Sequence, residues 1–148
     1  MPFREIPGDL FENSNPTDAL AHCVSQDLRM GKGIAKSFKD KFNGVAELKK
    51  QNKKVGEVAY LCHENRYIFY LITKLSAWDK PTEEDFKKSL FELRKLCEQF
   101  EVTGLSLPRI GAGLDRLRLD FVHESVSNAF EGSDISVTMY YLPNQTTK

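Results

Sequence analysis

The sequence predicts an α/β fold built in layers. Three observations point there. Short apolar or β-branched runs alternate with stretches whose apolar residues recur every three or four positions. No internal repeat, low-complexity tract or interdomain linker divides the chain. Two glycine loops fall where strands run out, and ligands of open α/β sheets collect beyond the carboxyl ends of strands.

In chain order, Ala19 to Val24 reads as a short buried strand, followed by the loop Met30-Gly31-Lys32-Gly33-Ile34-Ala35. Ile34, Ala35, Phe38 and Phe42 share a helical face, and Gly44 breaks that helix. A second helix over 45–53 carries Val45 and Leu48 on one side. Val58–Cys62 and Tyr67–Thr73 flank His63-Glu64-Asn65-Arg66, the pattern of a hairpin. Pro81 opens the clearest helix, with Thr82 as N-cap and Glu83, Glu84 and Asp85 where the helix dipole favours acid. Phe86, Leu90, Leu93, Cys97 and Phe100 form its apolar stripe. Gly104 to Leu107 is a short strand feeding the second loop, Pro108-Arg109-Ile110-Gly111-Ala112-Gly113-Leu114-Asp115. A helix is expected from about Leu117 to Phe130 and a last strand from Ile135 to Leu142. One domain over 1–142 and a frayed polar tail over 143–148 complete the expected organisation.

Composition narrows the function. The formal charge is zero, from 21 basic and 21 acidic residues. That argues against a protein whose main work is coating nucleic acid, though not against a local basic patch. There is no signal-peptide core and no apolar run long enough to span a bilayer. Cys23, Cys62 and Cys97 have neither metal spacing nor a disulfide frame, so a reducing intracellular setting is expected. No His/Cys/Asp cluster has ligand spacing, and neither metal nor other cofactor is expected.

The loops carry the chemistry. Glycine lets backbone N–H groups approach a ligand, and bare N–H groups near a helix N-terminus attract phosphate. The first loop has Gly31 and Gly33 but Lys36 where a dinucleotide fingerprint needs its third glycine, so a nicotinamide-dependent dehydrogenase fits poorly. Lys74 ends an apolar strand. It is either a solvated terminus or an amine at a pocket floor that attacks carbon as the free base. Asp115 is either a turn residue or an acid–base group directly after a phosphate-type loop. Ser25 caps its loop or reaches a ligand. His22 and Cys23 are strand neighbours, so their side chains face opposite ways and form no base–nucleophile pair. Lys49-Lys50-Gln51-Asn52-Lys53-Lys54 is a solvated helix end or a contact for a polyanion such as RNA. Trp78 is a lid or packing.

Five segments in this order resemble the macrodomain family, which binds ADP-ribose. They are Gly8-Asp9-Leu10-Phe11, Leu20-Ala21-His22-Cys23-Val24-Ser25, Arg29 to Ala35, Tyr70-Leu71-Ile72-Thr73-Lys74, and Leu107 to Leu117. The resemblance runs from about Arg4 to Leu142 and implies a three-layer α/β/α macrodomain with a mixed central sheet. It implies that Asp9 and Leu10 help hold the adenine end. Gly31, Gly33 and Ile34 would wrap the pyrophosphate and distal ribose together with Gly111, Ala112, Gly113 and Leu114. His22, Ser25, Thr73, Arg109 and Ile110 fall among the implied substrate-binding positions, Ser25 near the distal ribose. Lys74 and Asp115 match the catalytic lysine and aspartate.

Ser25-Gln26-Asp27 stands where many macrodomain hydrolases carry an asparagine-rich segment, which favours the lysine-using branch. Pro7 directly before Gly8 is expected to shorten the first strand and shift its pairing. The implied activity is removal of mono-ADP-ribose from glutamate and aspartate side chains, with deacetylation of O-acetyl-ADP-ribose beside it. A non-catalytic ADP-ribose reader is the alternative. The implied partners are ADP-ribose and mono-ADP-ribosylated proteins, with poly-ADP-ribose or ADP-ribosylated nucleic acid as further ligands, for a monomer without membrane contact. Residence in the nucleus and a place in the DNA damage response are expected from the resemblance alone.

Overall fold

The computed structural model describes residues 3–113 and 115–143. The implied contact of Leu114 and all but the first residue of the expected tail lie outside them. The elements are β1 (Phe3–Pro7), α1 (Leu10–Asn13), β2 (Ala19–Ser25), α2 (Gly33–Phe42), α3 (Val45–Lys50), β3 (Val58–His63), β4 (Arg66–Lys74), α4 (Glu83–Gln99), β5 (Gly104–Pro108), α5 (Leu119–Ala129) and β6 (Ser136–Tyr141). The six strands form one mixed sheet in the order β1-β6-β5-β2-β4-β3. Five run parallel and only β3 is antiparallel, paired to β4. The hairpin turn has Glu64 and Asn65 both at positive φ, 51° and 69°, as a tight two-residue turn requires.

Strand alternation sorts the core into two halves. Ala19, Ala21, Phe69 and Leu71 point to one face, under Phe86, Leu90, Leu93 and Cys97 of α4 and Val122, Val126 and Ala129 of α5. Leu20, Val24, Ile68, Tyr70 and Ile72 point to the other, under Leu10, Phe38 and Leu48 of α1, α2 and α3. The result is the expected three-layer α/β/α arrangement.

Some expectations shift in detail. The first strand is not shortened: Phe3 to Pro7 pair in continuous register with Val137 to Tyr141, and Pro7 closes the strand at the sheet edge, where a missing N–H is tolerated. Helix α1, capped by Asp9, is too short to leave a periodic signal. Helix α3 stops at Lys50 rather than running to residue 53. There the Gln51 amide turns to β3 instead, donating to Tyr60 O at 2.7 Å and accepting from Tyr60 N at 3.0 Å. Leu117 lies before α5, because its N–H donates to Gly111 O at 2.7 Å and folds the loop back.

This topology positions the site. Because β1, β6, β5, β2 and β4 are parallel, Pro7, Tyr141, Pro108, Ser25 and Lys74 all finish at one edge of the sheet. The loop after β2 then climbs to α2 on one face, while those after β4 and β5 climb to α4 and α5 on the other. That divergence opens a crevice at the carboxyl ends of the strands.

Candidate active site

The sheet brings Lys74 and Asp115 together. Lys74 Nζ donates to Asp115 Oδ1 at 2.6 Å, and the two side chains are only 13% and 14% exposed. A bulge aims the lysine. Val24 pairs with Ile72, but Ser25 pairs with Lys74, so Thr73 is an extra residue in β4. Simple alternation from Ile68, Tyr70 and Ile72 would send Lys74 toward α2. The extra residue breaks that count, as bulges beside functional sites commonly do. Lys74 instead meets the loop after β5. Buried Thr73 sits at the bulge, its hydroxyl donating to Val24 O.

Ser25 stands opposite Lys74 and donates its hydroxyl to Asp27 Oδ1. Asp27 organises this corner: it also accepts from Arg29 N at 3.2 Å and, through Oδ2, from Ala77 N at 3.3 Å. Burial, the largest single influence, pushes its carboxyl up, but the Ser25 hydroxyl, the two amides and the Arg29 charge together outweigh it and hold it below the usual range. Sequence reading passed over Asp27 as a functional residue. Its one local signal is an Asp accepting from the amide two residues on. Leu28 and Met30 hold the rest of the loop. Both are buried, and both sit at positive φ, 55° and 45°, a conformation that costs a non-glycine residue on the order of 1–3 kcal/mol.

The first glycine loop ends in the N-terminus of α2. Gly33 adopts φ 60°, and no side chain caps the helix. No acidic residue occupies its first turn. Its leading N–H groups are therefore not spent on a local carboxylate, and Ile34 is exposed beside them. In the second loop Gly111 has φ 77°, and an added Cβ would lie 2.9 Å from Leu117 Cδ1 and 3.1 Å from Phe86 Cε1. Glycine is required there by both backbone and space. Around Gly113 the space is open, and Gly31 has only Arg29 Cγ at 4.0 Å. Ile110 is buried and Ala112 half-buried under the loop.

Other candidates are placed differently. Asp9 spends Oδ1 on α1, accepting from Phe11 N at 2.9 Å and Glu12 N at 3.1 Å, while Leu10 is buried beneath it. Arg109 leans away from the Lys74–Asp115 pair. Its Nε donates to Glu5 Oε2 at 2.6 Å, and its guanidinium lies 4.1 Å over the Tyr141 ring. Burial raises the Glu5 carboxyl, but Arg109 and His123, 3.2 Å away, win and hold it below the usual range. Trp78 is 76% exposed under the Arg29 guanidinium at 4.7 Å. Among the described residues no group of three His, Cys, Asp or Glu side chains could hold a metal ion.

His22 and Cys23 do face opposite ways. Cys23 packs on the α4–α5 side, half-buried. Burial and the Asp115 charge push its thiol up, against a smaller pull from Lys74. It stays protonated and does not compete as a nucleophile. His22 is 0% exposed and stacks on Phe38 with ring centroids 3.7 Å apart, so its side chain reaches no open space. Burial lowers its pKa from 6.5 to about 3, outweighing a backbone contact at Cys23. Between those values the unfolded chain binds a proton that the folded chain refuses. Stability should therefore fall as pH drops below 6.5, by up to about 1.4 kcal/mol per pH unit. His22→Phe keeps an aromatic stack and removes the proton. Thermal unfolding from pH 7 to 4 should show a flatter acid limb for this variant, and equal limbs would clear His22 as the source.

The chain matches no family model. It is 53% identical to the human ADP-ribose glycohydrolase OARD1 over 137 residues, 93% of this chain and 90% of that one. Among solved structures, the macrodomain of Thermus aquaticus DarG superposes with a TM-score of 0.82 at 26% identity, covering 95% of this chain and 98% of that chain. Thermosipho africanus DarTG, solved in complex with ADP-ribose, shares the fold with a TM-score of 0.83 at 18% identity, covering 99% of this chain and 43% of that chain. Identical to that relative at 53% of 137 aligned positions, along nearly the whole of both chains, and sharing the fold of DarG besides, this chain belongs to the macrodomain family.

Proposed function

We propose that this protein removes mono-ADP-ribose from glutamate and aspartate side chains, with Lys74 as nucleophile and Asp115 as acid–base group. The single observation that carries the reading is the 2.6 Å contact between an amine and a carboxylate, both largely withdrawn from water, at the carboxyl edge of the sheet. Relatives named as ADP-ribose glycohydrolases supply the ligand.

The scissile bond is an ester to the anomeric carbon of the distal ribose, and the carboxylate is a competent leaving group. Lys74 Nζ attacks that carbon, the C–O bond to the acceptor breaks, and the acceptor leaves as a carboxylate. The proton shed by the amine has an acceptor 2.6 Å away in Asp115. Water then adds to the same carbon and the N–C bond breaks. Asp115 returns its first proton to that nitrogen as it departs and takes the water's proton, which is then shed to solvent, so Lys74 is regenerated and ADP-ribose is free. The same pocket would accept O-acetyl-ADP-ribose, whose ester sits on the same ribose. The uncapped amides of Gly33 and Ile34 and the loop through Gly111 and Gly113 hold the pyrophosphate, so the anomeric carbon waits in line with Nζ.

The direct test is release of ADP-ribose from an acceptor modified on glutamate. Release supports the glycohydrolase, and tight binding without release is the behaviour of a reader. The cradle has its own test. Gly33→Val puts a β-branched residue at φ 60° and a side chain over the N–H groups. ADP-ribose affinity by calorimetry should drop by roughly tenfold or more, the loss of one or two charge-assisted hydrogen bonds. Parental affinity in a folded variant would place the phosphates elsewhere.

A further inference from the structure

Beyond Lys74 the sheet edge continues into a second concavity. Gln26 N donates to Lys74 O at 2.8 Å, and Gln26 Oε1 accepts from Val55 N at 3.1 Å, so one residue links the catalytic strand to the segment before β3. Between them lies a groove of about 390 Å³. Lys49, Lys53 and Lys54 line it against a single acid, Asp27. The carboxylate of Asp27 is already occupied by Ser25, Arg29 and Ala77. Among the described residues none of the three lysines has an ion-pair partner, in a chain whose overall charge is zero. A positive hollow of this kind, joined through Gln26 to the backbone of β4 and through Asp27 to Ser25, is not needed to bind ADP-ribose between the glycine loops.

We propose that this groove is the acceptor subsite and takes the carboxylates of an acidic peptide flanking the modified residue. The proposal rests on the function above: an acceptor esterified at Lys74's target carbon must leave the crevice over a neighbouring surface, and Gln26 and Asp27 connect this groove to Lys74 and Ser25. Its chemistry favours carboxylates over a nucleic-acid strand. Sites for single strands join a basic track to aromatic platforms, and no aromatic or arginine side chain lines this groove. Lysine ammonium groups meet carboxylates as point charges and need no stacking surface.

Two peptides, each ADP-ribosylated on one glutamate, test it: one flanked by aspartates, one by serines. At low salt the parent should turn over the acidic peptide about five- to tenfold better in kcat/KM, the sum of a few exposed ion pairs. The advantage should shrink as salt shortens the screening length. Lys49→Gln/Lys53→Gln/Lys54→Gln should erase the preference while leaving the serine-flanked peptide at the parental rate. Lys87→Gln/Lys88→Gln/Lys95→Gln on α4 makes the same change in net charge and should keep the preference. Fluorescence anisotropy on the same proteins reads binding of both peptides separately. If neither peptide is hydrolysed, the proposed function fails, while the binding ratio still decides the groove. The subsite is overturned if the parent shows no acidic preference, or if the preference survives the triple substitution. It is equally overturned if only a modified oligonucleotide shows a lysine-dependent advantage.

Discussion

Lys74→Arg should abolish release of ADP-ribose from modified glutamate, by on the order of 10³-fold or more, although it keeps the positive charge. Guanidinium stays protonated at neutral pH and cannot supply a free amine. A lysine that merely neutralised phosphate would survive this change in part. Nζ donates to Asp115 at 2.6 Å, and arginine can preserve an ion pair with that carboxylate. Folding and ADP-ribose binding should therefore suffer far less than turnover, which thermal melts and calorimetry would read alongside the rate. Lys74→Ala should lose activity to the same degree. Full activity in Lys74→Arg would remove the amine from the mechanism.

Asp115→Ala should lower turnover by about 10² to 10⁴, the usual weight of a general acid–base group. Binding of free ADP-ribose should change less, because the glycine cradle does not use this carboxylate. Truncation also removes the hydrogen-bond partner of Lys74 Nζ, whose side chain is only 13% exposed, so some loss of stability is expected. Asp115→Asn separates the two effects: it keeps the size and a hydrogen-bond acceptor but cannot take a proton. Parental turnover in a folded Asp115→Asn would sink the acid–base role.

Much of this arrangement is legible in the sequence, and what is missing has physical causes. Strand and helix signals survive because both faces of the sheet are covered, which leaves near-continuous apolar runs such as Tyr67 to Thr73 in β4. The two glycine loops are visible because glycine marks a backbone need directly, as at Gly33 and Gly111. Lys74 and Asp115 stand out one by one, but their contact spans 41 residues and exists only once β5 lies beside β2 and β2 beside β4. The bulge at Thr73 leaves no mark in composition, yet it decides where Lys74 points. Arg109 illustrates the converse. It sits within a matching motif, while its side chain answers to Glu5, 104 residues away. His22 is similar: its motif is at the site, but strand alternation turns its ring into the core against Phe38. Asp27 and the left-handed Leu28 and Met30 are local, but nothing in residue type distinguishes a loop that must be strained from one that need not be.

The central claim is a covalent bond to one named nitrogen, and trapping it is the most direct measurement. Asp115→Ala, slowed at the step that frees the adduct, is incubated with glutamate-modified acceptor, quenched and examined by intact-mass spectrometry with peptide mapping. The expected result is one added ADP-ribose on the peptide containing Lys74, absent when Lys74 is also replaced by arginine. An unmodified Lys74 peptide in a variant that still releases ADP-ribose, or the same added mass in the Lys74→Arg background, would contradict a lysine nucleophile.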